Sequence, residues 1–316
     1  MPPDRSAGRR RAGSHRPPTG TGPTGRAAGR SGSGAAADLR AAWPHGPVEV
    51  PTGTVELVPD PDHAAGVTLL VNGVPSSYVD LDDPGVLAFE YMQQMALVID
   101  TLRPGTPLDV VHLGAGGCAL ARALDVLRPG SRQLAVELDT RLPELARLWF
   151  GLPRAPALRI RAGDARAELE RLGTATTDVV VRDVFAGDRT PAHLTTIEAA
   201  RAAARVLRPG GVYLVNCADR PPLALARSEA ATLGRVFADV VVIAEPALLR
   251  GRGYGNLVLA ATDDPALLAV AGLARAVRTL PAPARLLRGE EVAAFAAGAP
   301  VLHDPVTGDG TRDAAP

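Results

Sequence analysis

Lysine is absent: all 34 basic side chains are arginine, and 34 acidic ones balance them to a formal net charge of zero. Without an excess of positive charge the chain lacks the phosphate-neutralising surface of a general polyanion binder, and with aromatic residues at 3% it has little material for base-stacking platforms. Nucleic acid is therefore not an expected partner. Cysteine is nearly as scarce. Cys118 and Cys217 stand far apart with no CxxC or Cys/His cluster, which excludes a disulfide framework and a zinc site. That points to a reduced, cytoplasmic chain, with no metal expected. Long apolar runs are missing too: stretches such as Leu134 to Val136 or Val240 to Ala244 fall well short of the roughly 18 residues a membrane helix needs. No signal-type apolar segment follows the start, so no membrane association is expected. Alanine, glycine, proline and arginine dominate instead, a composition that looks like codon usage in a GC-rich genome. At roughly 100–200 residues per domain, 316 residues allow one large domain with additions or two modest ones.

Residues 1–40 contain almost no large apolar side chain and cannot offset chain entropy by burial, so they read as a disordered basic tail. Short alternating runs follow, Thr54 to Val58 and Val67 to Val71, with Asn72-Gly73 as a turn signal before Val74 to Val79. Residues 41–82 are thus expected to form a small antiparallel β domain. A helix is expected to start at Asp83-Pro84, with Leu87, Tyr91, Met95 and Val98 on its apolar face and an end near Arg103-Pro104-Gly105. From Asp109 onward strands and helices alternate to Ala261. Alternation of that kind predicts an α/β fold, a mainly parallel doubly wound sheet of the Rossmann type over residues 83–262, with its ligand beyond the carboxyl ends of the strands. Residues 263–316 read as a helical extension and a loose tail.

The first strand of that series runs into Gly114-Ala115-Gly116-Gly117-Cys118-Ala119 and then a helix. Glycines there let the backbone turn sharply and approach a ligand, and the helix N-terminus offers free N–H groups. The pattern suits NAD, FAD and S-adenosyl ligands alike, and a glycine turn needed only for packing is the plain alternative. The second strand ends at Glu137, whose carboxylate suits a ribose diol. The third leads into Gly163-Asp164-Ala165, where an acid accepts a hydrogen bond from an adenine amino group. A nicotinamide dehydrogenase does not ordinarily carry that second acid, so Gly114, Ala115, Gly116, Glu137, Asp164 and Ala165 together favour an S-adenosyl-type nucleoside. Asp183 ends the apolar run from Val179, at the mouth of such a site, and is the candidate base or orienting group for a nucleophile. Loop capping is its plainer role. His193 opens a helix and is read as a cap.

In these residues the chain resembles the polyamine aminopropyltransferases, the spermidine synthase family. The resemblance runs from about Val67 to Ala261 through the Asn72-Gly73 hairpin, the helix with Tyr91, the glycine loop, Val136-Glu-Leu-Asp139, Gly163-Asp-Ala165, Asp178 to Asp183, Pro191-Ala192 and Leu207-Arg-Pro-Gly-Gly211. It implies a small β domain before a methyltransferase-like Rossmann domain, decarboxylated S-adenosylmethionine as donor, and a homodimer or larger assembly. It also implies that Glu137 binds ribose, Asp164 binds adenine, and Asp183 orients and deprotonates the attacking amine. Tyr91, Gln93 and Asp188 are the residues expected on the acceptor substrate.

Departures from the family pattern fall on the acceptor side. The acid usual in the glycine loop is Gly117 here; a Tyr-His-Glu type triplet is Tyr91-Met92-Gln93; a Gln after the hairpin is Ser76; and the second acid after the fourth strand is Ala186. A diammonium substrate buried without opposite charge is heavily penalised, so putrescine should bind poorly unless acids such as Glu90 or Asp188 take over. The expected activity is transfer from an S-adenosyl-type donor to an amine-like acceptor in polyamine biosynthesis. Methyl transfer from S-adenosylmethionine through the same pocket is the runner-up, and a non-catalytic nucleoside-binding paralogue is the reading from a different class.

Overall fold

A computed structural model describes residues 32–187 and 189–305. The expected basic tail lies outside the described residues up to position 31, and the expected loose end lies outside them beyond position 305. Where the tail enters the described region it is not structureless: Gly32–Ala41 forms helix α1, packed on a later helix.

Four strands follow, β1 (Val48–Val50), β2 (Gly53–Pro59), β3 (Gly66–Val71) and β4 (Val74–Asp80), forming an antiparallel meander in that order. The β3–β4 turn has Asn72 at φ +51° and Gly73 at φ +77°, the pair of left-handed residues that a two-residue hairpin needs to match strand twist. Helix α2 (Glu90–Thr101) starts later than the Asp83-Pro84 signal suggests. The acids there serve turns instead: Asp80 Oδ1 accepts from the N–H groups of Asp82 and Asp83, and Asp83 Oδ1 accepts from Gly85 N–H. Side chains that capture nearby backbone donors this way compete with helix.

The large sheet is built from β5 (Asp109–Leu113), β6 (Arg132–Glu137), β7 (Leu158–Ala162), β8 (Thr177–Arg182), β9 (Leu207–Asp219), β10 (Asp239–Ala244), β11 (Gly255–Thr262) and β12 (Arg285–Arg288). Its order is β12-β10-β11-β9-β8-β5-β6-β7. The flank β9-β8-β5-β6-β7 is parallel, as the alternation predicts, while β11, β10 and β12 join it through antiparallel pairings. Two differences from the sequence reading stand out. The Arg208 to Gly211 segment does not separate helix from strand; it is the bulged start of β9, where pairing with β8 jumps from Leu207 to Val212. The C-terminal extension is also not purely helical, since Arg285–Arg288 caps the sheet as edge strand β12. Four residues flanked by arginines carry no alternation that would mark a strand.

Helices cover both faces. One face of the sheet, with Val110, Val181, Leu214 and Val258, packs on α2 and on α3 (Ala119–Leu127) and α4 (Leu142–Phe150). The other, with Val111, Val180, Val215 and Leu259, packs on α5 (Ala165–Arg171), α6 (Ile197–Val206) and α7 (Ala224–Leu233). The remaining helices are α8 (Pro246–Leu249), α9 (Pro265–Leu268), α10 (Ala271–Arg278) and α11 (Glu290–Ala296). Adjacent residues of each strand thus serve opposite layers, as the strand period of two requires. Among the described residues no helix is long and apolar enough to cross a membrane.

The meander sits over the carboxyl end of the large sheet, and Asp139 ties the two together. One of its carboxylate oxygens accepts from Thr52 N–H and Thr52 Oγ1, and the other from the N–H groups of Arg141 and Leu142 at the start of α4. Burial pushes its pKa up, but these hydrogen bonds outweigh burial and hold the carboxyl below the ordinary aspartate range. A carboxyl with a lowered native pKa adds stability in full above its ordinary value of 3.8, and that contribution is lost as pH falls through the native value. Asp139→Ala is expected to lower the unfolding free energy at neutral pH by about 1–3 kcal/mol, because it leaves the buried Leu142 N–H unpaired and removes the partly buried bonds to Thr52 and Arg141. Denaturant titration should show that gap, and the gap should narrow in acid.

Candidate active site

The carboxyl ends of β5, β6, β7, β8 and β9, with the meander above them, enclose a cleft of about 1160 Å³. Its floor begins at the end of β5. Gly114 has φ +89°, and a Cβ there would lie 2.2 Å from the carbonyl oxygen of Asp183, so the two strand ends pass too closely for any side chain. Gly116, at φ +48°, completes the turn into α3. Gly117 is held differently: its N–H donates to Ser77 Oγ of β4 at 2.9 Å, and a Cβ there would stand 2.9 Å from Ser77 Cβ.

Glu137 and Asp164, read from the sequence as a nucleoside pair, line this one cleft. They come together because Glu137 pairs with Ala162 across β6 and β7, leaving Asp164 two residues further along. Glu137 Oε2 accepts from the N–H groups of Ala115 and Gly116, both at 3.1 Å, and Oε1 accepts from Asp139 N–H at 3.1 Å. It therefore braces the glycine turn as well as facing the cleft. Asp164 also fills its plain structural role: it caps α5 by accepting from Ala167 N–H at 2.9 Å. Its second oxygen lies 3.0 Å from His193 Nε2. Burial pushes the Asp164 pKa up, while the Ala167 and His193 contacts hold it below the usual carboxylate range. His193, read as a helix cap, is instead a cleft-lining partner of this acid. Ala115 and Ala165 line the same cleft.

Asp183 follows β8 directly and faces the cleft, held by Tyr91 Oη at 2.9 Å and Asn216 Nδ2 at 2.8 Å. Burial raises its pKa above the ordinary aspartate value, and the donors Asn216 and Tyr91 oppose that rise. Tyr91 is itself buried, and burial beside Asp183 pushes its phenol well above the ordinary range. His112 sits in the cleft floor; burial lowers its pKa to about 4 despite a contact to Gln133 Oε1, so it is neutral near pH 7.

One expectation for the acceptor side does not carry through. Gln93 turns away from the cleft and donates from Nε2 to the Leu87 carbonyl at 2.6 Å. Helix geometry explains this: residue i+3 shares the face of Tyr91, and i+2 does not, so Gln94 reaches the cleft and Gln93 does not. Asp188 lies outside the described residues. Asn216 and Gln94 are cleft residues that sequence reasoning missed. The buried pair behind them was missed as well: Arg182, 1% exposed, pairs with Glu229 at 2.8 Å and donates to the carbonyls of Leu194 and Asn216. An arginine inside an otherwise apolar strand was the available signal for it, since a buried guanidinium requires partners.

No protein-family model matches the chain. Among solved structures, a probable spermidine synthase from Corynebacterium glutamicum is 37% identical, with a TM-score of 0.78 over 85% of this chain and 99% of that one. The chain belongs to the spermidine synthase family. The polyamine aminopropyltransferase of Chromobacterium violaceum is 30% identical over 141 residues, 44% of this chain and 53% of that protein. The chain thus spans about half the length of the curated relatives it matches. A bovine eEF1A lysine and N-terminal methyltransferase is 29% identical over 143 residues, 42% of this chain and 20% of that protein. Family members are transferases, and the α/β architecture with a small antiparallel sheet in front is shared with the Corynebacterium structure over 85% of this chain.

Gly114→Ala tests the close crossing of strand ends. The new methyl group must displace the Asp183 backbone and adopt a left-handed conformation as well, so a loss of about 1–3 kcal/mol in stability is expected. Thermal unfolding measures it; an unchanged midpoint would show that the turn relaxes freely.

Proposed function

We propose that this chain is an alkyltransferase of the aminopropyltransferase type: it holds an S-adenosyl-type donor, decarboxylated S-adenosylmethionine in the leading reading, and transfers the aminopropyl group to an amine. The observation that carries this is the order of groups along one cleft: Asp164 and Glu137, then the glycine turn, then Asp183, in step with β7, β6, β5 and β8. The residues suit such a donor. Gly114, Ala115 and Gly116 turn their backbone toward the cleft, Glu137 Oε1 accepts one hydrogen bond and so keeps an acceptor site free, and the Asp164 side chain is 42% exposed. In this reading Glu137 takes the ribose diol, while Asp164 with Ala165 takes the adenine edge.

A bound donor supplies a carbon activated by the adjacent sulfonium: the amine lone pair forms the C–N bond as the C–S bond breaks toward sulfur, leaving a thioether nucleoside. Asp183 prepares the amine. An aliphatic ammonium with a pKa near ~10 carries no lone pair at neutral pH, so one proton must leave it, and the Asp183 carboxylate is the acceptor. Tyr91 and Asn216 fix the orientation of that carboxylate, and burial makes it more basic than an exposed aspartate. Positioning of two substrates in one cleft supplies the rest of the acceleration. The free, buried Cys118 and Cys217 fit the reducing cytoplasm read from the sequence.

Methyl transfer from S-adenosylmethionine is a second reading, supported by the match to a methyltransferase and by Gly117, which brings no carboxylate to a donor ammonium. Competition between the two donors separates them. Aminopropyl transfer requires the decarboxylated donor to bind more tightly; methyl transfer requires the reverse.

Glu137→Ala is expected to weaken methylthioadenosine binding by about 1–3 kcal/mol through unpaired ribose hydroxyls, read by titration calorimetry. Turnover needs the Asp183 carboxylate, so kcat/KM should be flat on the basic side of its raised pKa and fall as pH drops through it. Asp183→Asn should cost about 10²–10⁴-fold in kcat and abolish that acid limb. A variant that keeps both turnover and limb would remove Asp183 from the chemistry.

A further inference from the structure

Beyond Asp183 the sheet continues through β9 and β11, away from the nucleoside acids on β6 and at the start of α5. Asn216 on β9 and Asn256 on β11 line the cleft there, two residues apart in register since Asn216 pairs with Val258 and Ala218 with Asn256. Helix α2 packs over β9 and β11 and adds Gln94, one turn along from Tyr91. This side of the cleft is therefore walled by neutral amides. Gln94 and Asn216 are 4% and 1% exposed, yet Gln94 Oε1 and Asn216 Oδ1 accept no hydrogen bond. Asn216 is fixed in orientation, because its Nδ2 donates to Asp183. Buried polar atoms without partners are rare in native structures and each calls for a partner, an ordered water or a ligand donor, on residues that here line the cleft.

The charges on this side are arranged to match. Among the described residues Asp183 is the carboxylate set within this part of the cleft, and Tyr91 and Asn216 hold both its oxygens. Glu90, Arg220 and Glu245 also line the cleft but lie at its exposed rim, where water screens them. One ammonium finds an opposite charge at depth. A second one, carried past Asp183, would meet amide groups and lose its hydration without gaining, among the described residues, a counter-ion at depth.

We propose that the acceptor of this enzyme is a singly charged amine whose far end is an uncharged hydrogen-bond donor, a hydroxyl or amide, read by Gln94 and Asn216, and not a diamine. Asp183 takes the reacting amino group, and Gln94 Oε1 accepts from the neutral end, with Asn216 Oδ1 open to the second N–H of an amide. Gln94 is thereby the residue that sets acceptor charge. The proposal rests on the nucleoside-plus-amine reading above, so its test measures the two separately.

Methylthioadenosine is titrated first, by calorimetry, into the full chain; absence of binding removes the nucleoside reading and this proposal with it. With methylthioadenosine saturating, 4-aminobutanol and putrescine are then titrated at neutral pH. The wild type is expected to bind the amino alcohol at least tenfold more tightly than the diamine. Gln94→Glu, which adds a carboxylate at the neutral station with little change of shape, should shift that ratio at least tenfold toward the diamine. Gln94→Leu should weaken the amino alcohol about tenfold while methylthioadenosine affinity stays unchanged, a pattern that a purely structural residue would not give. Equal or tighter binding of the diamine by the wild type, no binding of either amine beside a bound nucleoside, or a ratio unmoved by both variants would each overturn the proposal.

Discussion

The chemistry of the cleft depends on how closely the end of β5 passes the end of β8. Asp183 N–H donates to the Leu113 carbonyl, and the Asp183 carbonyl occupies the space where a side chain on residue 114 would stand. Only glycine tolerates that contact in a left-handed conformation. The same contact then fixes two things at once. It turns the chain into α3 so that backbone faces the cleft, and it holds the Asp183 carboxylate beside that turn. The glycine of the turn and the acid of the next strand are one device, not two motifs that happen to be near each other.

A buried carboxylate at such a point needs support from both layers of the sheet. On the α2 face Tyr91 and Asn216 donate to its two oxygens. On the opposite face the preceding residue, Arg182, is locked by Glu229 and by the carbonyls of Leu194 and Asn216. Burial raises the pKa of Glu229 and works against the charge on Arg182, while their mutual attraction works the other way. A pair of this kind adds little net stability but is costly to break, which suits a role in fixing geometry. Through the Asn216 carbonyl it also sets the strand that presents the Asn216 side chain to Asp183. Two layers thus converge on one carboxylate, and its basicity follows from that enclosure.

How much of this was legible in the sequence depended on whether the signal was local. The Asn72-Gly73 hairpin, the glycine loop, Glu137, Gly163-Asp164 and Asp183 each announce themselves in a few neighbouring residues, and strand alternation places them at carboxyl ends. Edge strand β12 gave no such signal, because its pairing with β10 is purely tertiary. The start of α2 was misread because the Asp-Pro cue serves an Asx turn, whose preference for backbone donors looks the same in sequence as a helix cap. Gln93 stands in the Tyr91-Met92-Gln93 triplet that parallels the family's, whereas the helical period, applied from Tyr91, selects Gln94. Asn216 was invisible for a different reason: its importance lies in a bond to a residue 33 positions away.

The loss of acidity in the glycine loop has a structural side that sequence comparison alone does not reveal. Position 117 is not merely a site where an acid is missing. Its N–H is held by Ser77 Oγ, and a Cβ there would press on Ser77 Cβ at 2.9 Å and on the Phe150 ring at 3.3 Å. A carboxylate side chain at 117 would therefore require the meander to lift from the glycine loop. Asp139, bonded to Thr52 on that same meander, resists such a movement from the other side. The close seating of the small sheet and the neutral character of the loop are thus the same structural fact. An acid introduced by single substitution at Gly117 would therefore disturb the docking of the meander before it altered the electrostatics.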